Sequence, residues 1–443
     1  MSRIAVIGSG PAGSFFALAA LKVASQLNRA LEVTIFERKD LTAAGPAGCN
    51  MCAGILSRRV VEGLSALGIS LPPEVVLGRV HRYMLHWGGG SLAISPPDPS
   101  RQVLSVYRAG GPRNSPYPAT AGFDAFLQRE AERRGARIVH ERVDEVSFDP
   151  RPRIHTSKGA VTFDLAVLAT GVNSTAPVLH GLHYSRPATE TMAQDSLLLS
   201  GDAGRTQMES TVHVFFDRPK GSFFGALIPK RNFANISLLG RRLSANCIEE
   251  FLSAPEVRSV VGENPQTCGC RPRVAVTLAQ DYYAGRFVAI GDCCVTRLYK
   301  DGIGSALVTA RAAAETALRY GITQEAFAAH YAPVCRAIAR DNRFGRAVFA
   351  LTSHSRRNGF SMRALGRAVA LETNAAPGGG LMGRILWSLF TGDAGYEEIF
   401  RMMIRAGTVA SLLKAMLLEL RFDRSPSISA SETVMHKEAP DKP

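Results

Sequence analysis

Three groups of residues in this chain have the types and spacing to do chemistry. The first is Gly8-Ser-Gly10-Pro11-Ala12-Gly13, which follows the apolar run Arg3–Ile7, while Glu37 and Arg38 close a second apolar run. Gly8 suits a tight turn, Gly10 leaves room for a pyrophosphate against the backbone, and Gly13 lets the next helix lie close on a sheet. The helix start offers free N–H groups to phosphates, and Glu37 can accept hydrogen bonds from ribose hydroxyls. This spacing predicts a βαβ unit that binds a dinucleotide. The second group is Cys49 with Cys52, a pair suited to metal binding, to redox work or to plain packing. The third lies far downstream: Gly291-Asp292, and then Asp301 leading into Gly302-Ile303-Gly304.

Elements must hold these residues in place. Gly285–Asp292 reads as a buried parallel strand carrying Asp292 to its carboxyl end, where open α/β sheets bind ligands. The helix opening at Gly302 favours negative charge at its start, such as the pyrimidine end of a reduced flavin. Nucleotide motifs at both ends of one domain point to a bound flavin rather than a diffusible nicotinamide. Between them, 57–77 reads as helical, 81–86 and 91–95 as a hairpin, and 102–108 as a strand leading to Arg108. A helix at 123–134 follows, then a strand at 137–139 and another from 160 to a small-residue turn at Ala169-Thr170-Gly171. The stretch 177–274 has the texture of an antiparallel sheet, and 326–423 reads as helices.

The expected fold class is α/β, or α+β overall. A Rossmann-like nucleotide domain is assembled from 1–75, 106–176 and 275–325. Substrate-domain strands fall at 76–105 and 177–274, with a helical region at 326–423 and a disordered tail at 424–443.

Composition sets bounds. The chain has 443 residues, 46% of them hydrophobic and 20% charged, which suits a folded protein of two to three domains. A net charge of +14 suits an anionic partner. The basic residues are dispersed without interleaved aromatics, so no nucleic acid is expected. The eight cysteines without an export signal suit a reducing cytoplasm. Neither the cysteines nor the ten histidines give a defensible metal spacing, so no metal is expected. Apolar residues interleaved with Arg384, Arg401, Arg405 and Lys414 suit helices resting on an anionic bilayer, or simply packing on the core. The expected location is cytoplasmic, with peripheral contact to the inner face of the membrane.

Taken together, these motifs resemble the geranylgeranyl reductase family of flavoproteins, within the para-hydroxybenzoate hydroxylase-like fold group, over about residues 1–400. The resemblance implies FAD, with Gly8, Gly10, Pro11, Ala12, Gly13, Glu37, Arg38, Arg108, Ala169, Thr170, Gly171, Gly291, Asp292, Gly302, Ile303 and Gly304 at the cofactor. The segment Phe224-Gly-Ala226-Leu-Ile228-Pro229-Lys230 resembles the family's lipid-cavity motif, and Cys52-Ala-Gly54 its cysteine segment facing the flavin. Ala226 and Ile228 depart from the aromatic residues of that motif, and Lys300 stands where the turn usually has glycine. The implied activity is reduction of carbon–carbon double bonds in a polyprenyl or other apolar lipid. Cys52, with Cys49, is the candidate on the proton path, and NADPH or a reduced electron-transfer protein is the candidate electron donor. Two other readings compete: an FAD-dependent monooxygenase or halogenase, and a membrane-associated flavoprotein passing electrons to quinone.

Overall fold

The first forty residues form the predicted unit. Strand Ser2–Ile7 leads through the glycine turn into helix Pro11–Gln26, and strand Leu31–Phe36 returns parallel to the first, pairing Ile4 with Val33 and Ile7 with Phe36. Proline at the first helical position needs no N–H donor there, and its fixed φ suits the helix start. This helix is almost wholly buried because helix Phe123–Arg133 and helix Gly302–Glu315 both pack on it. Phe15 meets Phe123 edge-on at 6.5 Å. The computed structural model describes residues 2–423 apart from 50–51, 89, 99, 101–102, 120, 200–201, 241, 263–265, 267, 356–357 and 376–379. The tail expected from 424 lies outside the described residues.

The parallel sheet runs in the order Tyr283–Ala284, Phe287–Ala289, Leu165–Leu168, Ser2–Ile7, Leu31–Phe36, Arg137–Val139. Only its first pair is antiparallel. The stretch expected as one strand from 160 is two strands in two sheets. Gly159–Thr162 joins a four-stranded sheet with Pro152–Thr156, Val143–Phe148 and Val178–His180, and Leu165–Leu168 enters the parallel sheet. The change comes at Asp164, whose carboxylate accepts from Arg3 N at 2.8 Å and pairs with Arg151 at 2.7 Å. The helix expected over 57–77 ends at Ala66. There Gly68, at φ +71°, turns the chain and Ile69 N–H reaches back to the Leu64 carbonyl, a glycine-based stop that outweighs the later apolar pattern. The strand expected over 102–108 is only Val103–Ser105 and pairs with Ile55–Leu56 and Gly78–Val80 in a three-stranded sheet.

A seven-stranded sheet forms the second layer, in the order Arg273–Ala275, Thr189–Leu198, Phe233–Leu239, Phe224–Lys230, Thr211–Phe215, Arg82–Trp87, Gly90–Ile94. It is antiparallel except where Thr211–Phe215 runs parallel to Arg82–Trp87, so the 81–95 hairpin is its edge. Strands Phe224–Lys230 and Phe233–Leu239 are buried along their whole length. A strand reads as a continuous apolar run when both faces are covered, and here both are. Leu227, Ile236 and Leu238 pack on helices Cys247–Ser253 and Pro255–Val261. On the opposite face Val212, Val214 and Phe224 join a core with Met362, Trp387 and Tyr396 from the C-terminal helices. Those helices are Ala332–Ser355, Gly359–Ala375, Leu381–Thr391, Tyr396–Met403 and Ala406–Asp423.

Candidate cofactor and substrate cavity

A large cavity lies where the parallel sheet, the seven-stranded sheet and the C-terminal helices meet. At one end it is walled by Gly8, Gly10, Pro11, Ala12, Glu37 and Arg38. Gly8 sits at φ +103°, and a β-carbon there would come within 2.7 Å of the Ala169 carbonyl oxygen. Gly13 does not touch the cavity; a β-carbon on it would run into the Gly8 carbonyl, so its part is to hold the turn. Glu37 is fixed by backbone donors, accepting from Ser9 N on Oε2 and from Lys39 N on Oε1, both at 2.9 Å. A carboxylate oxygen has a second lone pair, so this fixed Glu37 can still accept from a diol. Ala169, Thr170 and Gly171 line the cavity beside this turn.

Its middle is charged. Arg108 lines the cavity and makes a two-pronged pair with the fully buried Asp124, with Nη2 at 2.7 Å from Oδ2. Burial opposes the Arg108 charge, but Asp124 prevails and holds the guanidinium above its ordinary range. Asp292 faces the cavity as predicted; burial raises its carboxyl above the usual range, against the pull of Arg108 and Thr296. Gly291 behind it lies outside the lining. A β-carbon there would sit 2.8 Å from that of Ala12, so glycine allows the two motifs to touch. Asp301, in the left-handed conformation at φ +53°, begins helix Gly302–Glu315. Gly302 and Ile303 line the cavity while Gly304 does not. Asp301 accepts from Ser57 Oγ at 2.9 Å, and burial pushes its carboxyl up to about 6.

The far end is apolar. Phe224, Ala226 and Ile228 take alternate positions on one strand, so they share the face that lines the cavity with Val212, Val214, Tyr83 and Phe390. Pro229 and Lys230, expected at the substrate, lie outside the lining. The three-stranded sheet covers that end of the strand, with Ser105 Oγ donating to the Pro229 carbonyl at 2.6 Å. Lys230 is 1% exposed, donates to the Val106 carbonyl at 2.8 Å and lies 4.3 Å from the Tyr107 ring centroid. Burial lowers its pKa to about 8.

Of the paired cysteines, Cys52 lines the cavity, its sulfur accepting from Gly54 N at 3.4 Å. Cys49 does not; its carbonyl accepts from Lys39 Nζ. Among the described residues no group of three or more His, Cys, Asp or Glu side chains could hold a metal ion. Cys293 and Cys294 are buried packing residues, the latter 3.5 Å from Cys335. Sequence reasoning missed Tyr83, Arg297, Lys300 and Phe390 as cavity walls. Only Lys300 carried a signal, as the departure from glycine before Asp301.

The residues fit FAD on their own geometry. A glycine turn with no room for a side chain at Gly8 or Gly13 opens a helix, a fixed carboxylate stands at the end of the next strand, and the wall continues from there to the start of a second helix.

No protein-family model and no curated protein matches the chain. Solved structures do. A geranylgeranyl bacteriochlorophyll reductase-like protein from Thermoplasma acidophilum superposes with a TM-score of 0.62 at 14% identity, covering 95% of this chain and 99% of that one. Halogenase PltM gives 0.59 at 11% identity, covering 95% and 92%. p-Nitrophenol 4-monooxygenase PnpA from Pseudomonas putida gives 0.55 at 14%, covering 96% and 98%. The fold is that of the FAD-dependent oxidoreductases of the para-hydroxybenzoate hydroxylase-like group. Reductase, halogenase and monooxygenase all share it, so the fold leaves the reaction to be argued from the cavity.

Proposed function

We propose that this chain is an FAD-dependent oxidoreductase that reduces a carbon–carbon double bond of a polyprenyl or similarly apolar substrate. The observation that supports the reading is the continuity of one cavity, from the glycine cradle and Glu37 to the apolar wall of Phe224, Ala226, Ile228, Val212 and Val214. Gly8–Ala12 would hold the pyrophosphate of FAD, Glu37 its ribose and Asp292 its ribityl chain, and the group would supply hydride chemistry there. The protein's part is to align a poor hydride acceptor and to keep water away, which the apolar wall and the covering C-terminal helices do. Arg297 fastens that cover, donating to the Gly392 carbonyl at 2.8 Å and to the Ala394 carbonyl, beside Phe390 and Thr391 of the cavity wall. Cys52 Sγ is the candidate proton-path group. The electron donor is NADPH or a reduced electron-transfer protein.

The test is anaerobic. Photoreduced holoprotein is mixed with polyprenyl lipids, and flavin reoxidation is followed together with lipid mass. Reoxidation with a gain of about two mass units per bond supports the reading. A flavin that stays reduced with every lipid and reoxidises only with oxygen or a quinone replaces it with the monooxygenase or electron-carrier reading.

For a lipid substrate the route of access is a membrane surface, and we place that contact on helix Ala406–Asp423. Val409, Leu413, Leu417 and Leu420 recur at helical spacing and are exposed, Leu417 by 62%, with Arg405 and Lys414 at the margins. An apolar stripe edged by cations suits an anionic bilayer. No helix among the described residues is long and apolar enough to cross a membrane. Flotation with phosphatidylglycerol vesicles, lost in L413E/L417E and absent with phosphatidylcholine alone, is the expected result. Equal flotation of wild type and variant would remove this face from the model of access.

A further inference from the structure

Beside the apolar end of the cavity stands a charged group with no counterpart among the described residues. Lys300 stands on the wall between the charged middle and the apolar end, its Nζ 4.7 Å from the Phe224 ring centroid and 5.2 Å from that of Phe390. Among the described residues no carboxylate pairs with it, and no acceptor takes a hydrogen bond from its ammonium. The neighbouring charges are all engaged elsewhere. Arg297 donates through Nη1 and Nη2 to the Gly392 and Ala394 carbonyls, has its Nε 3.9 Å from Asp341 and stacks 4.3 Å from the Tyr396 ring centroid. Asp301 accepts from Ser57, and Glu190 accepts from Tyr299 Oη at 2.8 Å. Two aromatic faces ease the desolvation of an ammonium only in part. An unpaired cation among apolar walls is costly unless a ligand completes it, and a group so placed in a cleft marks a binding function.

We propose that Lys300 is the recognition cation of this cavity, and that the substrate is an apolar molecule carrying an anionic oxygen, a carboxylate or an ionised hydroxyl, which the ammonium receives between Phe224 and Phe390. The proposal deepens the oxidoreductase reading and rests on it. It narrows the substrate from any apolar lipid to an apolar acid. It also gives the position of the reacting carbons a reference point, because the anionic end is fixed while the hydrocarbon lies along Val212, Val214, Ala226 and Ile228. Arg297 adds positive potential behind Lys300 without offering it a partner, and Asp301, the adjacent acid of the cavity, is turned to Ser57 Oγ, so the site favours one anionic group.

The test uses full-length protein loaded with oxidised FAD and four probes: trans-cinnamate, octanoate and their neutral amides. Binding is read by calorimetry and by the flavin difference spectrum in wild type, K300M and K300R. A charge-assisted contact in a desolvated site predicts that wild type takes at least one acid about tenfold more tightly than its amide. K300M should lose that preference and K300R keep it, with flavin content unchanged in both. The proposal is overturned if wild type binds no acid or shows no preference, or if K300M keeps the preference. It is equally overturned if K300M moves the flavin reduction potential while the acid preference stays, since the ammonium would then serve the cofactor. Protein that cannot be loaded with FAD sinks the oxidoreductase reading, and this inference with it. Loaded protein that binds acids independently of Lys300 sinks the inference alone.

Discussion

The two ends of the cavity are built on different principles. At the nucleotide end the wall is mostly backbone: Gly8, Gly10, the first turn of helix Pro11–Gln26, and a carboxylate pinned by two backbone N–H groups. These groups come from one stretch of under forty residues, with Ala169-Thr170-Gly171 alongside. At the other end the wall is all side chain, gathered from Tyr83, Phe224, Lys300 and Phe390, more than three hundred residues apart in sequence. A backbone cradle tolerates no added atom, because every group near it is fixed. A side-chain wall can be re-cut by substitution with less disturbance of the fold. On the proposed function the first end takes the cofactor and the second the substrate, and substitutions should separate the two.

The largest effect belongs to Gly13→Val. Its side chain meets the Gly8 carbonyl, a backbone atom that cannot move aside without opening the turn. Flavin bound per protein, read from the visible spectrum after gel filtration, should fall close to zero. A variant that keeps its flavin would show that the turn is not the cofactor's seat. Arg108→Met comes next. It removes the guanidinium from the Asp124 carboxylate, whose side chain is 0% exposed. Breaking a buried pair from one side costs about 3–5 kcal/mol, so thermal unfolding should shift down by several degrees. The double variant R108M/D124L should recover much of that loss, and an equal loss in both would mean the pair is not what holds the segment.

How much of this could be read from the sequence follows from the same contrast. The nucleotide end was legible because it is local: turn, helix start and acid lie within one βαβ unit, and Gly291-Asp292 marks itself by an acid in the turn just beyond a short apolar strand. Arg108 was legible as a cavity residue, but its partner Asp124 is set by the way helix Phe123–Arg133 packs. The substrate wall was legible only in part. Phe224, Ala226 and Ile228 were expected there and line it, whereas Pro229 and Lys230 lie beneath a small three-stranded sheet that brings together 55–56, 78–80 and 103–105. No local pattern announces such a sheet. Phe390 and Tyr83 were hidden for the same reason, since each reads as an ordinary core residue of its own element until the C-terminal helices close over the sheet.

Cys52→Ala gives a smaller effect that separates chemistry from binding. Cys52 is only partly buried and its sulfur accepts one weak bond from Gly54 N, so its loss should hardly change unfolding temperature or flavin content. If its thiol lies on the proton path, turnover should fall about tenfold or more, with an enlarged solvent isotope effect. Unchanged turnover would leave it as a wall residue.

The smallest expected effect has an unusual sign. Burial, with Arg297 adding to it, lowers the Lys300 pKa from its ordinary value of 10.5 to about 8. In the unfolded chain the ammonium keeps its proton up to the ordinary value, so between about pH 8 and 10.5 the unfolded state binds more protons than the folded one. Stability from this group therefore rises with pH across that window, and below it the folded protein carries the full cost of an unpaired charge. Lys300→Met removes that cost. At pH 7 and without ligand the variant should be more stable than wild type by on the order of 1 kcal/mol, after allowance for solvent reaching the cavity. That corresponds to a shift of about 1–3 °C in a chain this long. The difference should shrink steadily as pH is raised from 8 towards 10.5, and it should reverse at pH 7 when a saturating acid is added to wild type. Asp301 titrates near 6 and Glu190 is held by Tyr299, so measurements from pH 7 upward keep the Asp301 transition out of the window. A wild type more stable than K300M at pH 7 without ligand would mean that the ammonium already has a partner in the folded protein, and that the substrate end is as self-contained as the nucleotide end.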